Sequence, residues 1–223
     1  MAVVVDVLSF TTTLTVAVDA GTNVLPYRWN DATAAQYARE HDAVLAVARS
    51  QAKPGQISLS PVSLRQGQPP ARLVLPSPNG STIAHELGRS TGTCLGASLR
   101  NPGAVADWIS NRYGADGPAV AVVAAGERWP DGSLRPAVED LWGAGAVLAA
   151  LETRGWRDLS PEAQMATAAW NAVAGRLRVA LLDCASGREL AAAGYEDDVL
   201  IAAEFDQSAS VPLLGDGGFA PAS

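Results

Sequence analysis

Four short groups of polar residues have the types and spacing that chemistry requires. Asp6 closes the run Val3-Val4-Val5 and is soon followed by Thr11-Thr12-Thr13; Ser77 to Thr82 reads Ser-Pro-Asn-Gly-Ser-Thr; Gly126-Glu127 ends an apolar run; Glu139-Asp140 precedes an amphipathic stretch. A carboxylate directly after three valines must be hydrated, paired or bound to a metal, because a bare buried charge is costly. The adjacent pair Glu139-Asp140 suits a helix dipole and equally a hard divalent cation that keeps several waters. Hydroxyls at Thr11 to Thr13 can cap a helix or, with free backbone N–H groups, hold a phosphate or sulfonate. Asn79-Gly80-Ser81-Thr82 is either a tight turn with a cap or an oxyanion cradle in which Gly80 lets the backbone come close to a ligand.

Several familiar devices are missing from the sequence. Leu8 stands where a haloacid-dehalogenase motif has its second aspartate, and neither GxxxxGK[ST] nor GxGxxG occurs. His41 and His85 lack the partners of a Ser-His-Asp triad and read as structural or solvated. Cys94 and Cys184 belong to no CxxC spacing and read as reduced, partly buried thiols. Trp142, Trp156 and Trp170 read as packing between helices and sheet, and Glu196-Asp197-Asp198 as a helix N-terminus.

The elements that must position these groups alternate. The strand ending at Asp6 leads into a short helix that stops near Gly21, then a strand at 22–27, a helix at 31–41 begun by Asn30 or Asp31, and a strand at 43–48. That rhythm predicts a three-layer α/β/α fold with a mixed, largely parallel sheet, in one domain spanning 1–223. The Pro- and Gly-rich segment at about 49–70 reads as a long irregular loop, of the kind that covers or lines a site. Residues 72–75 return to strand character, and Asn101-Pro102 opens a helix to about Tyr113. Ala119 to Ala125 reads as the clearest buried strand. Helices follow from Leu141 to about Arg154, from Ser160-Pro161 to Val173, and over roughly 176–192 and 197–204, with a last short strand at 210–214. In an open α/β sheet ligands bind beyond the carboxyl ends of strands, and all four polar groups fall at such places.

At 223 residues the chain can bury a full core, and 48% hydrophobic against 17% charged residues describes a folded globule. A formal charge of −7 without a Lys/Arg cluster argues against a nucleic-acid partner. The N-terminal apolar run meets Asp6 after a few residues, so it reads as neither signal peptide nor membrane span, and a cytoplasmic protein is expected. Exposed apolar helices make a homodimer reasonable.

Together these residues resemble the 2-phosphosulfolactate phosphatase family of coenzyme M biosynthesis. The resemblance runs in order through VVVDVLSFTTT, SPNGST, Cys94 with Asn101 and the Ala104-Val105-Ala106 helix, VVAAGE at 122–127, Glu139-Asp140 with Gly143-Ala144-Gly145, and the Cys184 to Val199 segment. It implies a Mg²⁺-dependent phosphomonoester hydrolase that releases phosphate from 2-phosphosulfolactate or a similar small phosphorylated 2-hydroxy acid. The alternative is a relative that keeps an anion pocket without the chemistry. On this resemblance Asp6 and Glu139 are the catalytic candidates, and Asp6, Glu139 and Asp140 the metal ligands. Thr11, Thr12, Asn79, Gly80, Ser81 and Arg188 are the substrate-binding candidates. Ser9 stands where family members commonly have arginine, and Arg49 or Arg188 is expected to supply the displaced charge.

Overall fold

The computed structural model describes residues 1–28, 32–115 and 117–222. The chain opens with β1 (Ala2–Val5), α1 (Phe10–Asp19), β2 (Asn23–Tyr27), α2 (Ala32–Glu40) and β3 (Val44–Leu45). Next come α3 (Pro61–Gln66), β4 (Arg72–Pro76), α4 (Gly80–Ser90), β5 (Cys94–Ala97), α5 (Pro102–Tyr113) and β6 (Ala121–Ala124). A two-stranded hairpin, β7 (Glu127–Arg128) with β8 (Leu134–Arg135), precedes α6 (Val138–Thr153) and α7 (Pro161–Asn171). The remainder is α8 (Leu177–Asp183), α9 (Ala185–Ala192), α10 (Glu196–Ala202), β9 (Pro212–Gly215) and β10 (Gly218–Pro221).

Eight strands form one mixed sheet in the order β3-β4-β2-β10-β9-β5-β1-β6. Two parallel groups, β3-β4-β2 and β5-β1-β6, are joined through the antiparallel pair β9-β10. Alternation along β1 sorts its side chains into two apolar clusters. Val3 and Val5 pack with Ile109 of α5 and Val147 of α6, while Val4 packs with Leu14 of α1 and Ala84 of α4. The three-layer α/β/α expectation therefore holds.

The pairing senses make the two parallel groups run in opposite directions, yet the ends of β1 and β4 meet at one cavity. Sheet twist supplies a physical reason. At roughly 20–25° per strand, five steps from β4 to β1 accumulate roughly 100° or more of rotation, which swings the two carboxyl ends towards each other.

Among the described residues, local structure departs from the sequence reading at several places, the β7–β8 hairpin being one. Within the irregular 49–70 segment, Ser60-Pro61 starts the six-residue α3. The strand expected at 43–48 is reduced to Val44–Leu45 with an isolated bridge between Val47 and Ser58. Residues 121–124 form an edge strand, half exposed, and not the buried strand that their composition suggests. The helix expected over 176–192 is split at Cys184 into α8 and α9. A second C-terminal strand, β10, lies beside β2 in the middle of the sheet. The expected helix start at Asn30 or Asp31 lies outside the described residues. Among those described, no helix is long and apolar enough to cross a membrane.

Two glycines set the distances on which the site depends. A Cβ at Gly143 would come within 2.6 Å of Val5 and 2.7 Å of Val7, so α6 lies directly on the end of β1. A Cβ at Gly80 would stand 2.6 Å from Asp6 Oδ2 and would also strike the Phe10 ring.

Candidate active site

Asp6 follows the last residue of β1 and is 6% exposed. The N–H of Phe10, at the start of α1, donates to its Oδ1 at 3.1 Å, and the N–H of Gly80, at the start of α4, donates to its Oδ2 at 2.9 Å. Both helix starts thus aim at one carboxylate, an arrangement that favours negative charge. Burial works against it, and with Glu127 opposite pushes the Asp6 carboxyl from 3.8 up to about 6.

Three more carboxylates surround Asp6. Asp140 is 3% exposed; its Oδ1 accepts from Val7 N–H at 2.7 Å and its Oδ2 from Gly126 N–H at 2.9 Å. It ties the end of β1 to the turn after β6, and burial, with Asp6 and Glu139 nearby, holds its carboxyl well above the ordinary range. Glu139 is buried against the Cys184 thiol, which burial and this carboxylate push up to about 12. Glu127 accepts from Asn79 Nδ2 at 2.8 Å and is raised chiefly by burial.

A cavity of about 110 Å³ opens beside Asp6, bounded also by Ser9, Arg49, Ser77, Asn79 and Glu127. Arg49 comes from the segment after β3. Its Nε donates to Asp198 Oδ2 at 2.7 Å and its Nη2 to Ser9 Oγ, so the guanidinium sits at the position of Ser9. The Leu8–Ser9 peptide is cis. On the other side of Arg49 lies a cavity of about 600 Å³ lined by residues of the 52–67 segment and the start of α10.

A model of the 2-phosphosulpholactate phosphatase family matches residues 1–217 of the 223. The chain belongs to that family. No curated protein matches it. The family is one of phosphatases, and the cavity beside Asp6 is bounded by the polar side chains of Asp6, Ser9, Arg49, Ser77, Asn79 and Glu127.

The structure separates the residues expected from sequence into those at the cavity and those that build its walls. Asp6 and Asn79 line the cavity, and Gly80 contributes its amide to Asp6. Thr11 Oγ1 donates to Asp6 O and accepts from Asp6 N–H, Thr12 Oγ1 donates to Val7 O, and Ser81 Oγ donates to Leu75 O. These three hydroxyls are fully buried and spent on backbone, so they shape the strand ends instead of lining the cavity. Arg188 is exposed on α9 and lines neither cavity. Asp6, Glu139 and Asp140 are close enough to act on each other electrostatically, but among the described residues no group of three or more His, Cys, Asp or Glu side chains is arranged to hold a metal ion. Glu127 and Ser77 join the cavity without having been singled out individually. Their signal in the sequence is position: Ser77 directly follows β4, and Glu127 begins β7 three residues after the end of β6.

Proposed function

We propose that the protein is a Mg²⁺-dependent phosphatase that hydrolyses 2-phosphosulfolactate or a similar small phosphorylated 2-hydroxy acid, with Asp6 as its central catalytic group. The observation that carries this reading is the position of Asp6: a buried carboxylate at a strand end, fixed by two helix-start amides, opening on a small polar cavity. Family membership supplies the reaction class.

The residues present fit a hard divalent cation. Mg²⁺ takes one or two carboxylates, waters and phosphate oxygens, and Asp6 with Glu127 offers that number of all-oxygen donors on the cavity wall. Such an ion supplies positive charge for the phosphoryl oxygens and acidifies water. Asp6 is held rigidly by the Phe10 and Gly80 amides, so its oxygens keep one orientation as charge builds on the phosphoryl group. Glu127 orients the Asn79 amide, whose remaining N–H is a donor for the substrate. Asp140 and Glu139 stand behind Asp6; Asp140 fixes the Val7 and Gly126 backbone that frames the cavity.

Phosphate release from 2-phosphosulfolactate and a panel of phosphorylated 2-hydroxy acids, with Mg²⁺ and with chelator, tests the reading. Turnover that requires Mg²⁺ is expected. Binding of these acids without turnover on any of them would instead establish a non-catalytic anion-binding relative.

A further inference from the structure

The cavity beside Asp6 sets an electrostatic problem for any phosphomonoester. Asp6 and Glu127 both line it, and the incoming group is itself an anion. Among the described residues, Arg49 is the one cationic side chain in that lining, and the one residue that lines both this cavity and the larger one beyond. We propose that Arg49 is the phosphate-binding residue of the site, the guanidinium that receives the phosphoryl oxygens, and that Asp198 is the residue that positions it. The inference deepens the phosphatase reading and rests on it for the identity of the anion.

Three observations support the assignment. A guanidinium has five N–H groups; here Nε goes to Asp198 and one N–H of Nη2 to Ser9, while Nη1 has no partner among the described residues. Donors for an anion are therefore in hand without breaking a bond. Asp198 is 1% exposed, and its second oxygen accepts from Ser60 Oγ, so the carboxylate that grips Nε is itself held at both ends. The Tyr195 ring, 5.9 Å from the Arg49 carbon Cζ, bounds the guanidinium on a further side. Anchoring Nε in this way fixes the plane of the fork, which is what recognition of a tetrahedral oxyanion needs and what a lysine ammonium cannot reproduce.

The test measures binding of inorganic phosphate by calorimetry, in Mg²⁺ buffer, to wild type, Arg49→Ala, Arg49→Lys and Asp198→Asn, alongside steady-state kinetics. Phosphate affinity is expected to fall at least tenfold in Arg49→Ala and at least threefold in Arg49→Lys. Asp198→Asn is expected to raise KM severalfold while kcat stays within twofold, a split that a merely structural defect would not produce. Wild-type protein that fails to bind phosphate, or a folded Arg49→Ala that binds it within twofold of wild type, overturns the inference. If Arg49→Ala does not fold, Arg49→Lys decides, and unchanged affinity there overturns it equally. Arg49-dependent phosphate binding in a protein without turnover would leave this inference standing while removing the phosphatase reading.

Discussion

The amide of Gly80 stands 2.9 Å from Oδ2 of Asp6, a hydrogen bond across 74 positions of sequence. It joins the end of β1 to the start of α4, elements whose strands are separated by four others in the sheet. This approach fixes the orientation of the Asp6 carboxylate at the cavity.

Asp6→Asn keeps the size of the side chain and removes its charge. Turnover at saturating Mg²⁺ is expected to fall about 10³-fold, while the variant still unfolds cooperatively by circular dichroism. Near-wild-type kcat would remove Asp6 from the mechanism.

Gly80→Ala places a methyl group against Asp6 Oδ2 and the Phe10 ring. Relief requires the strand end and helix start to separate, at about 1–3 kcal/mol of stability by denaturant titration. A displaced carboxylate should also cost about 10²-fold in kcat/KM. A variant as stable and as active as wild type would show that the contact is slack.

Thr12→Val distinguishes a wall from a ligand contact. The Thr12 hydroxyl serves Val7 O, so its loss should cost about 1–3 kcal/mol of stability. KM is expected to stay within twofold; a tenfold rise would return Thr12 to the substrate.

Chelated protein and Mg²⁺-loaded protein should differ in their response to pH. The Asp6 carboxyl lies at about 6 when folded against 3.8 when unfolded, so the folded state binds more protons between those values. Its contribution to stability falls as pH rises through that window, by on the order of 3 kcal/mol, and is level above it. A cation favours the ionised form and offsets that loss. The rise in Tm on adding Mg²⁺ is therefore expected to be small at pH 5 and larger at pH 8. Equal shifts at both pH values would place the cation elsewhere.

Much of the site could be read from local chemistry. Three valines before Asp6 marked a buried strand with a carboxylate at its end, and Asn79-Gly80 marked a turn into a helix. What could not be read was which way a group is used. Thr11, Thr12 and Ser81 have the same hydroxyls whether they face a phosphate or a carbonyl, and only the backbone geometry decides. Residues 121–124 are apolar enough for a sheet interior, but whether a strand is central or at the edge depends on partners far away in sequence. α3 is under two turns long, too short for helical periodicity to show, and Gly218–Pro221 lacks the alternation of a strand. The sequence offers Arg49 only as one of two arginines for the charge displaced from Ser9, because its aperiodic segment gives no hint of where it folds back.

The hairpin of β9 and β10 has a consequence for biosynthesis. Strands β1 to β6 emerge from the ribosome well before it, yet their two parallel groups share no sheet hydrogen bonds except through residues 212–221. A nascent chain can therefore assemble two half-sheets but no continuous one, and the Asp6–Gly80 contact between the halves must wait or form unsupported. Ribosome-stalled chains ending before Val211 should be open to proteases along β2 and β5, and release of the next dozen residues should close them. Closure of the sheet is thus a final zip, made only once residues 212–221 have emerged.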